Sequence, residues 1–355
     1  MLSDSYLLYD TRPERLNLRS GGRAGAAMEF VVEPLPSAAL VRPEHERGVL
    51  YVRLTAPRAP ASRLVAVLPA AADAVRTAVL DAHRANEPIR RAVLVGVDAA
   101  FVVDAVHREV ALAAFVEVIR AFTDAGIPFL WRTRAGIAPA GLPPAVAHAL
   151  VAAGRLCTVE LGIATVDDEE ARALEGDQAT SSRSRLQLAS ALSARGITVR
   201  ALVDPLVPML TDQQGSLEDL VVALARAGVR RLGARYLTLT RDRARVIAAR
   251  LAGMQRALLQ GVFADEPWRQ PGVFDADASG PRELHKRIPA SLRRRGHERL
   301  LEIGGRHGVI VEILDPVDTA ELARAAPTAG AASTVAPRTR TRPRPQLELF
   351  GSRRR

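Results

Sequence analysis

Cysteine is almost absent: Cys157 is the only one in 355 residues. That excludes an internal disulfide. It also excludes an iron–sulfur cluster or metal held by several thiolates of this one chain. Lysine is nearly absent too, with Lys286 alone. Arginine carries the remaining basic charge beside abundant Ala, Gly and Pro, a pattern of GC-rich coding bias rather than of selection for phosphate binding. Aromatic residues make up 4% of the chain, too few for a row of base-stacking platforms. No run of about 18 apolar residues lacks charge, so no transmembrane helix is expected. The first residues, MLSDSYLLYDTRPERL, scatter charge and have no apolar core before a cleavage site. No secretory signal is expected, and a cytoplasmic location is the default. The histidines, at 45, 83, 107, 148, 285, 297 and 307, show no ligand spacing, so no metal site is expected.

What is present suits a globular protein with a substantial core, with 48% hydrophobic and 25% charged residues. The net charge of +10 is uneven. Arginines 338, 340, 342, 344, 353, 354 and 355 against Glu348 leave +6 on residues 327–355 and +4 on the rest. That Ala, Thr, Pro and Arg tail buries too little apolar surface to order itself, and its arginines are candidates for nucleic acid.

Along the chain, residues 1–27 read as a flexible lead-in. Strands are expected at 28–35, 48–57, 91–97, 127–133, 157–164, 197–203 and 229–240. Helices are expected at 70–84, with Pro69 just inside the start, and at 107–125, 143–153, 183–195 and 217–227. Gly126, Gly196 and Gly228 sit where helix C-caps are needed. The strand–helix alternation from 90 to 240 argues for a parallel sheet or barrel. Beyond it come a long helix at 241–259, a Pro/Gly-rich loop at 265–280, a basic helical region at 282–304 interrupted by Pro289 and Gly296, and a late strand at 308–314. The expected organisation is a β/α unit over 28–240, a helical extension over 241–326 and the tail.

One stretch is more specific. Leu156–Asp212 reads strand, loop, helix, strand, loop, and contains Thr165, Val166-Asp167-Asp168, Leu174-Glu175-Gly176, Arg185-Leu186, Arg195-Gly196-Ile197 and Asp204-Pro205-Leu206-Val207-Pro208. It resembles the middle of radical S-adenosylmethionine (radical SAM) proteins of the spore photoproduct lyase-like group. Those proteins have a strand ending in Ser-x-x-Thr, a Leu-Glu-Pro, an Arg-Leu-x-x-Ile helix and a strand leading into Ala-Pro-x-Ile-Pro. Weaker similarity runs from about 29 to 315, through LVGV (94–97), WRTR (131–134), YLTLT (236–240) and GVFDADASG (272–280). The resemblance implies an α/β fold, a partial (β/α) barrel of the radical SAM type.

The group's Cys-x3-Cys-x2-Cys loop belongs after the first strand, where this chain has EPLPSAALVRPEHERG (33–48). Three thiolates hold such a cluster, so no iron–sulfur cluster is expected and no radical SAM catalysis. Cys157, at the start of a buried strand, reads as a core residue. Gly162 stands where the group has a serine near the cofactor, and Arg134 where it has a lysine. Any cofactor binding that survives is expected to be of S-adenosylmethionine.

Glu33, Asp98, Arg134, Gly162, Thr165 and Asp204 are expected at the C-terminal strand ends, where ligands bind in such folds. In one reading they form a residual pocket: Arg134 holds an anion and a carboxylate holds a hydroxyl or amine. In the other, Asp98 and Asp204 cap turns while Arg134 pairs with one of them. Gln346-Leu347-Glu348-Leu349-Phe350 resembles the bacterial sliding-clamp-binding peptide, with Gln346 as hydrogen-bonding residue and Leu347, Leu349 and Phe350 as anchors. The leading expectation is a cluster-free, non-catalytic binding or accessory protein, DNA-associated through clamp and tail. The alternative is a repurposed barrel enzyme with cluster-independent chemistry in the residual pocket.

Overall fold

The computed structural model describes residues 32–34, 49–53, 61–86, 89–95, 105–137, 141–176, 180–269 and 284–315. Residues 317–355, including Gln346, Leu347, Leu349 and Phe350, lie outside the described residues. The chain opens with β1 (Val32–Pro34) and β2 (Val49–Arg53). It continues through α1 (Ala61–Arg84), β3 (Arg91–Val95), α2 (Ala105–Asp124) and β4 (Phe129–Thr133). Next come α3 (Pro144–Ala153), β5 (Cys157–Gly162), α4 (Asp168–Glu175) and α5 (Ser182–Ser193). β6 (Thr198–Leu206), α6 (Gln214–Arg226) and β7 (Arg231–Tyr236) complete the alternation. After β7 follow β8 (Thr238–Thr240), α7 (Arg241–Arg250), α8 (Gly253–Ala264), β9 (His285–Arg287), α9 (Ala290–Arg306) and β10 (Ile310–Ile313).

The sheet order is β1-β2-β3-β4-β5-β6-β7-β10. All neighbours pair in parallel except β1 with β2. Each strand from β3 to β7 lies beside its predecessor in sequence after a helical crossover. That is the winding of a β/α barrel, here open, with β1 and β10 at its ends. The α/β partial-barrel expectation therefore holds. β8 and β9 form a separate antiparallel pair.

Alternation along the strands gives the sheet two different faces. One face sets Phe129, Trp131, Cys157, Val159, Leu161, Val203, Ala234 and Tyr236 against the helices, where they share one core with Phe115, Ile119, Leu150, Leu188, Leu192, Leu220 and Leu224. Burying a Leu or Phe this fully contributes about 1.5–3 kcal/mol. The opposite face begins with a small cluster of Val49, Val93 and Leu130. It then turns charged: the next register layer runs Arg132, Glu160, Arg200 across β4 to β6.

The helix-ending glycines are where the sequence placed them, at positive φ: Gly126 at 66°, Gly196 at 76° and Gly228 at 84°. Other elements differ. α1 starts at Ala61, so Pro69 lies within it rather than at its first turn; the helix-forming run before the proline outweighs the one hydrogen bond lost there. The polar stretch taken for a loop contains α4, because Asp167 accepts from the backbone N–H of Glu169 and Glu170 as a side-chain cap. The single helix expected over 241–259 is two. Leu251 is extended (φ −75°, ψ 140°), and the break lets Leu259 and Phe263 join the core that Ile247 and Leu251 enter. Gly296 does not interrupt α9. β10, in the region read as an extension, completes the sheet beside β7.

Candidate functional site

The C-terminal strand ends are joined by one buried ionic network. Arg134 follows β4 directly and is held at its level by Thr133, whose Oγ1 accepts the Ala135 N–H at 3.0 Å. Its Nη2 donates to the carbonyl oxygen of Asp204 at 2.7 Å, and its Nη1 lies 3.4 Å from Oε1 of Glu175. Glu175, at the end of α4, also receives both terminal nitrogens of Arg185 from α5: Nη1 at 2.9 Å and Nη2 in a shorter contact. Arg185 Nη1 also donates to the carbonyl of Gly162, the last residue of β5, at 3.0 Å. The ends of β4, β5 and β6 are thus tied to α4 and α5 through three side chains, all buried.

Electrostatics follow from that geometry. Burial by itself would raise the Glu175 carboxyl, but Arg134 and Arg185 outweigh it and hold it below its ordinary value. Asp204 goes the other way. Burial pushes its carboxyl up, and the opposing pull of Arg235, Arg134, Arg243 and Arg132 does not fully offset it. Arg235 Nε lies 3.8 Å from Oδ2 of Asp204. The Asp204–Pro205 peptide is cis.

Thr165 is committed nearby. Its hydroxyl donates to Glu170 at 2.8 Å and accepts the Asp167 N–H at 3.1 Å. Its carbonyl accepts from Ser182 Oγ at 2.7 Å. Burial, and secondarily Asp167, push Glu170 up against that hydrogen bond. The loop after Arg134 lies directly on the start of α5: Ser184 Oγ donates to the Ile137 carbonyl at 2.6 Å. A Cβ on Gly136 would lie 2.2 Å from that same Oγ, so only glycine fits.

Of the residues singled out in the sequence, Arg134, Gly162 and Asp204 meet in one network and Thr165 caps the turn beside it. Asp98 lies outside the described residues. Glu33 is on β1 opposite Tyr51; because β1 is antiparallel, its chain direction is opposite to that of the strands carrying the other candidates. Arg134 makes an ion pair with Glu175 and donates to the backbone carbonyl of Asp204. Sequence reasoning misses Glu175 and Arg185 as site residues. Their signal is present as Leu174-Glu175 and Arg185-Leu186, two of the pairs that carry the resemblance.

Cys157 is fully buried at the N-terminal end of β5, opposite Phe129, and burial pushes its thiol up to about 12. A thiol so disposed is a core residue, not a ligand. Among the described residues, no three His, Cys, Asp or Glu side chains converge as a metal site. No helix among them is long and apolar enough to cross a membrane.

The topology defines a parallel α/β sheet wound as an open barrel. No protein family's profile and no curated protein matches the chain. Among solved structures it is similar to a doubly substituted spore photoproduct lyase with bound AdoMet and dinucleoside spore photoproduct. The TM-score is 0.47 at 14% identity, over 69% of this chain and 66% of that one. A singly substituted mutant of spore photoproduct lyase gives 0.46 at 13% identity over the same shares. Streptococcus suis SuiB gives 0.43 at 11% identity, over 69% of this chain and 43% of SuiB. The chain spans less than two thirds of the length of each of these structures.

Proposed function

We propose that the chain is a cluster-free binding protein built on a radical SAM-type sheet, without reductive cleavage of S-adenosylmethionine. One observation carries the reading: the chain's only cysteine is Cys157, buried at the strand end remote from the Arg134–Glu175–Arg185 network. A four-iron cluster with a free coordination site needs three thiolates. The network supports the same reading, since the polar groups of Arg134, Gly162 and Thr165 are used in holding strand ends to helices. Anaerobic reconstitution with iron and sulfide tests it. The expected iron content equals that of the Cys157→Ala variant treated identically. About four iron atoms per chain, with cleavage of added S-adenosylmethionine, would overturn the reading.

In this proposal residues 327–355 act as a tether. Gln346, Leu347, Leu349 and Phe350 dock on the bacterial DNA sliding clamp, and the tail arginines lie along nucleic acid. The support is the sequence Gln-Leu-Glu-Leu-Phe itself, with one polar and three apolar anchors spaced as in a groove-binding peptide. In surface plasmon resonance on immobilised clamp, replacing Leu349 and Phe350 together by Ala is expected to weaken binding of the full chain at least about tenfold, as loss of apolar anchors does. Equal binding by the two proteins removes the clamp from the proposal.

A further inference from the structure

We propose that the sheet face turned away from the helices binds a phosphate-bearing ligand, through Arg200 and Arg231 with Arg132 beside them. This deepens the reading of the chain as a binding protein by naming its ligand chemistry.

The inference starts from register. Arg132, Glu160 and Arg200 are direct partners across β4, β5 and β6. Ala201 pairs with Leu232, so Arg231 stands at the level of Arg200 on the next strand. Leu232, Ala234 and Tyr236 belong to the helix-covered core. Alternation therefore puts Arg231 and Arg235 on the same face as Arg132 and Arg200. One layer across the sheet thus carries three guanidiniums and one carboxylate, and Arg235 with Asp204 follows in the direction of the C-terminal ends.

Glu160 is the organising group. Its side chain is 1% exposed and contacts both Arg132 and Arg200. A buried carboxylate between two arginines costs desolvation that an apolar layer would avoid. What it gains is orientation: each planar guanidinium is fixed from one side. The side chain of Arg200 remains 32% exposed, and Arg231 is exposed. The other N–H donors of Arg200 meet no acceptor among the described residues. Adjacent strands lie about 4.8 Å apart, and like charges directly across them repel. Glu160 compensates two of the three arginines, and a bound anion would compensate the third. A group with several anionic oxygens can take two guanidinium forks at once, which is the geometry of phosphate recognition by arginine.

Isothermal titration calorimetry of the full chain with inorganic pyrophosphate and with ADP, at low salt, tests the site. Saturable binding is expected. Arg200→Gln and Arg231→Gln are each expected to weaken it about tenfold or more, the size of a lost charge-assisted hydrogen bond; Arg231→Gln, which leaves both pairs of Glu160 in place, is expected to do so with unchanged thermal melting. Arg195→Gln, an exposed position whose Nη1 bonds the nearby Ala191 carbonyl, should bind as the parent does. Absence of binding at millimolar ligand, or equal weakening in all three variants, would overturn the site. A ten-nucleotide single strand run in parallel separates the phosphate sources, because binding through the arginine tail is common to every variant. If the strand binds more tightly than ADP and suffers the same Arg200 and Arg231 losses, the ligand is a nucleic-acid backbone. If ADP is the tighter, the ligand is a free nucleotide. Either result supports the site. Iron content of the same sample keeps the two proposals distinct: a cluster with phosphate binding rejects only the cluster-free reading, and an iron-free chain that ignores phosphate rejects only this site.

Discussion

Glu175→Gln is expected to lower the melting temperature by about 10 °C. The substitution keeps the side chain's size, so packing is not the cause. It removes the carboxylate shared by Arg185, which is 1% exposed, and Arg134, which is 8% exposed. Breaking a buried pair from one side leaves an uncompensated charge and costs about 3–5 kcal/mol. Here one carboxylate serves two guanidiniums, which favours the upper part of that range. Removing one of those charges as well, in Glu175→Gln with Arg185→Met, is expected to recover part of the loss. The effect also has a pH signature. The Glu175 carboxyl is held below its ordinary value in the folded chain. Its stabilisation is therefore fully present above the unfolded value of about 4.3, and fades as pH falls through the lower folded value. Calorimetric melts of parent and variant should stay separated by a constant interval from neutral pH down to about pH 5, and converge in stronger acid. A shift below about 2 °C at neutral pH would mean that the network does not bind the strand ends to the helices.

Gly296→Ala is expected to destabilise the chain by about 2–3 kcal/mol, although it replaces glycine by a better helix former inside α9. The gain in helix propensity is about 1 kcal/mol. Against it, a Cβ at 296 would lie 1.5 Å from the hydroxyl oxygen of Tyr236 and 2.7 Å from its Cζ. The ring cannot simply swing aside. Its hydroxyl donates to Asp212 at 3.0 Å, and His297 stacks at a tilt with centroids 5.1 Å apart. Either the hydrogen bond to Asp212 breaks or α9 moves off β7, and both cost more than the propensity returns. Tyr236→Phe in the Gly296→Ala background removes the closer contact and leaves the 2.7 Å one, so chemical denaturation should show partial recovery. A stability equal to or above that of the parent would show that α9 is free to shift.

The contrast between these two sites explains what can be read from sequence. The parallel winding is legible because it is local: each apolar run, each helix and each capping glycine announces itself within a dozen residues. The Arg134–Glu175–Arg185 network is not, because Arg134 follows β4 while Glu175 and Arg185 stand on α4 and α5, and the three meet only once those separate units have packed together. Their letters stand in the sequence as fragments of a resemblance, and only their contact gives a reason for them. Helix α4 hides for a different cause. Its eight residues DEEARALE are mostly charged, and their apolar positions, Ala171, Ala173 and Leu174, are too few to set a period. The charged layer Arg132–Glu160–Arg200 is invisible because each strand contributes one residue to it. Register, which no single strand encodes, assembles the row.

The order in which strands take their places has a consequence for synthesis. From β2 to β7 every strand pairs with one made shortly before it, so the sheet can grow as the chain emerges, each new β/α unit docking on a surface already formed. β10 breaks that rhythm. Its partner β7 ends at Tyr236, and Ile310 enters only some seventy residues later. Between the two events the nascent chain carries an open parallel edge on β7. A stall or truncation in that interval would leave that edge available to another copy.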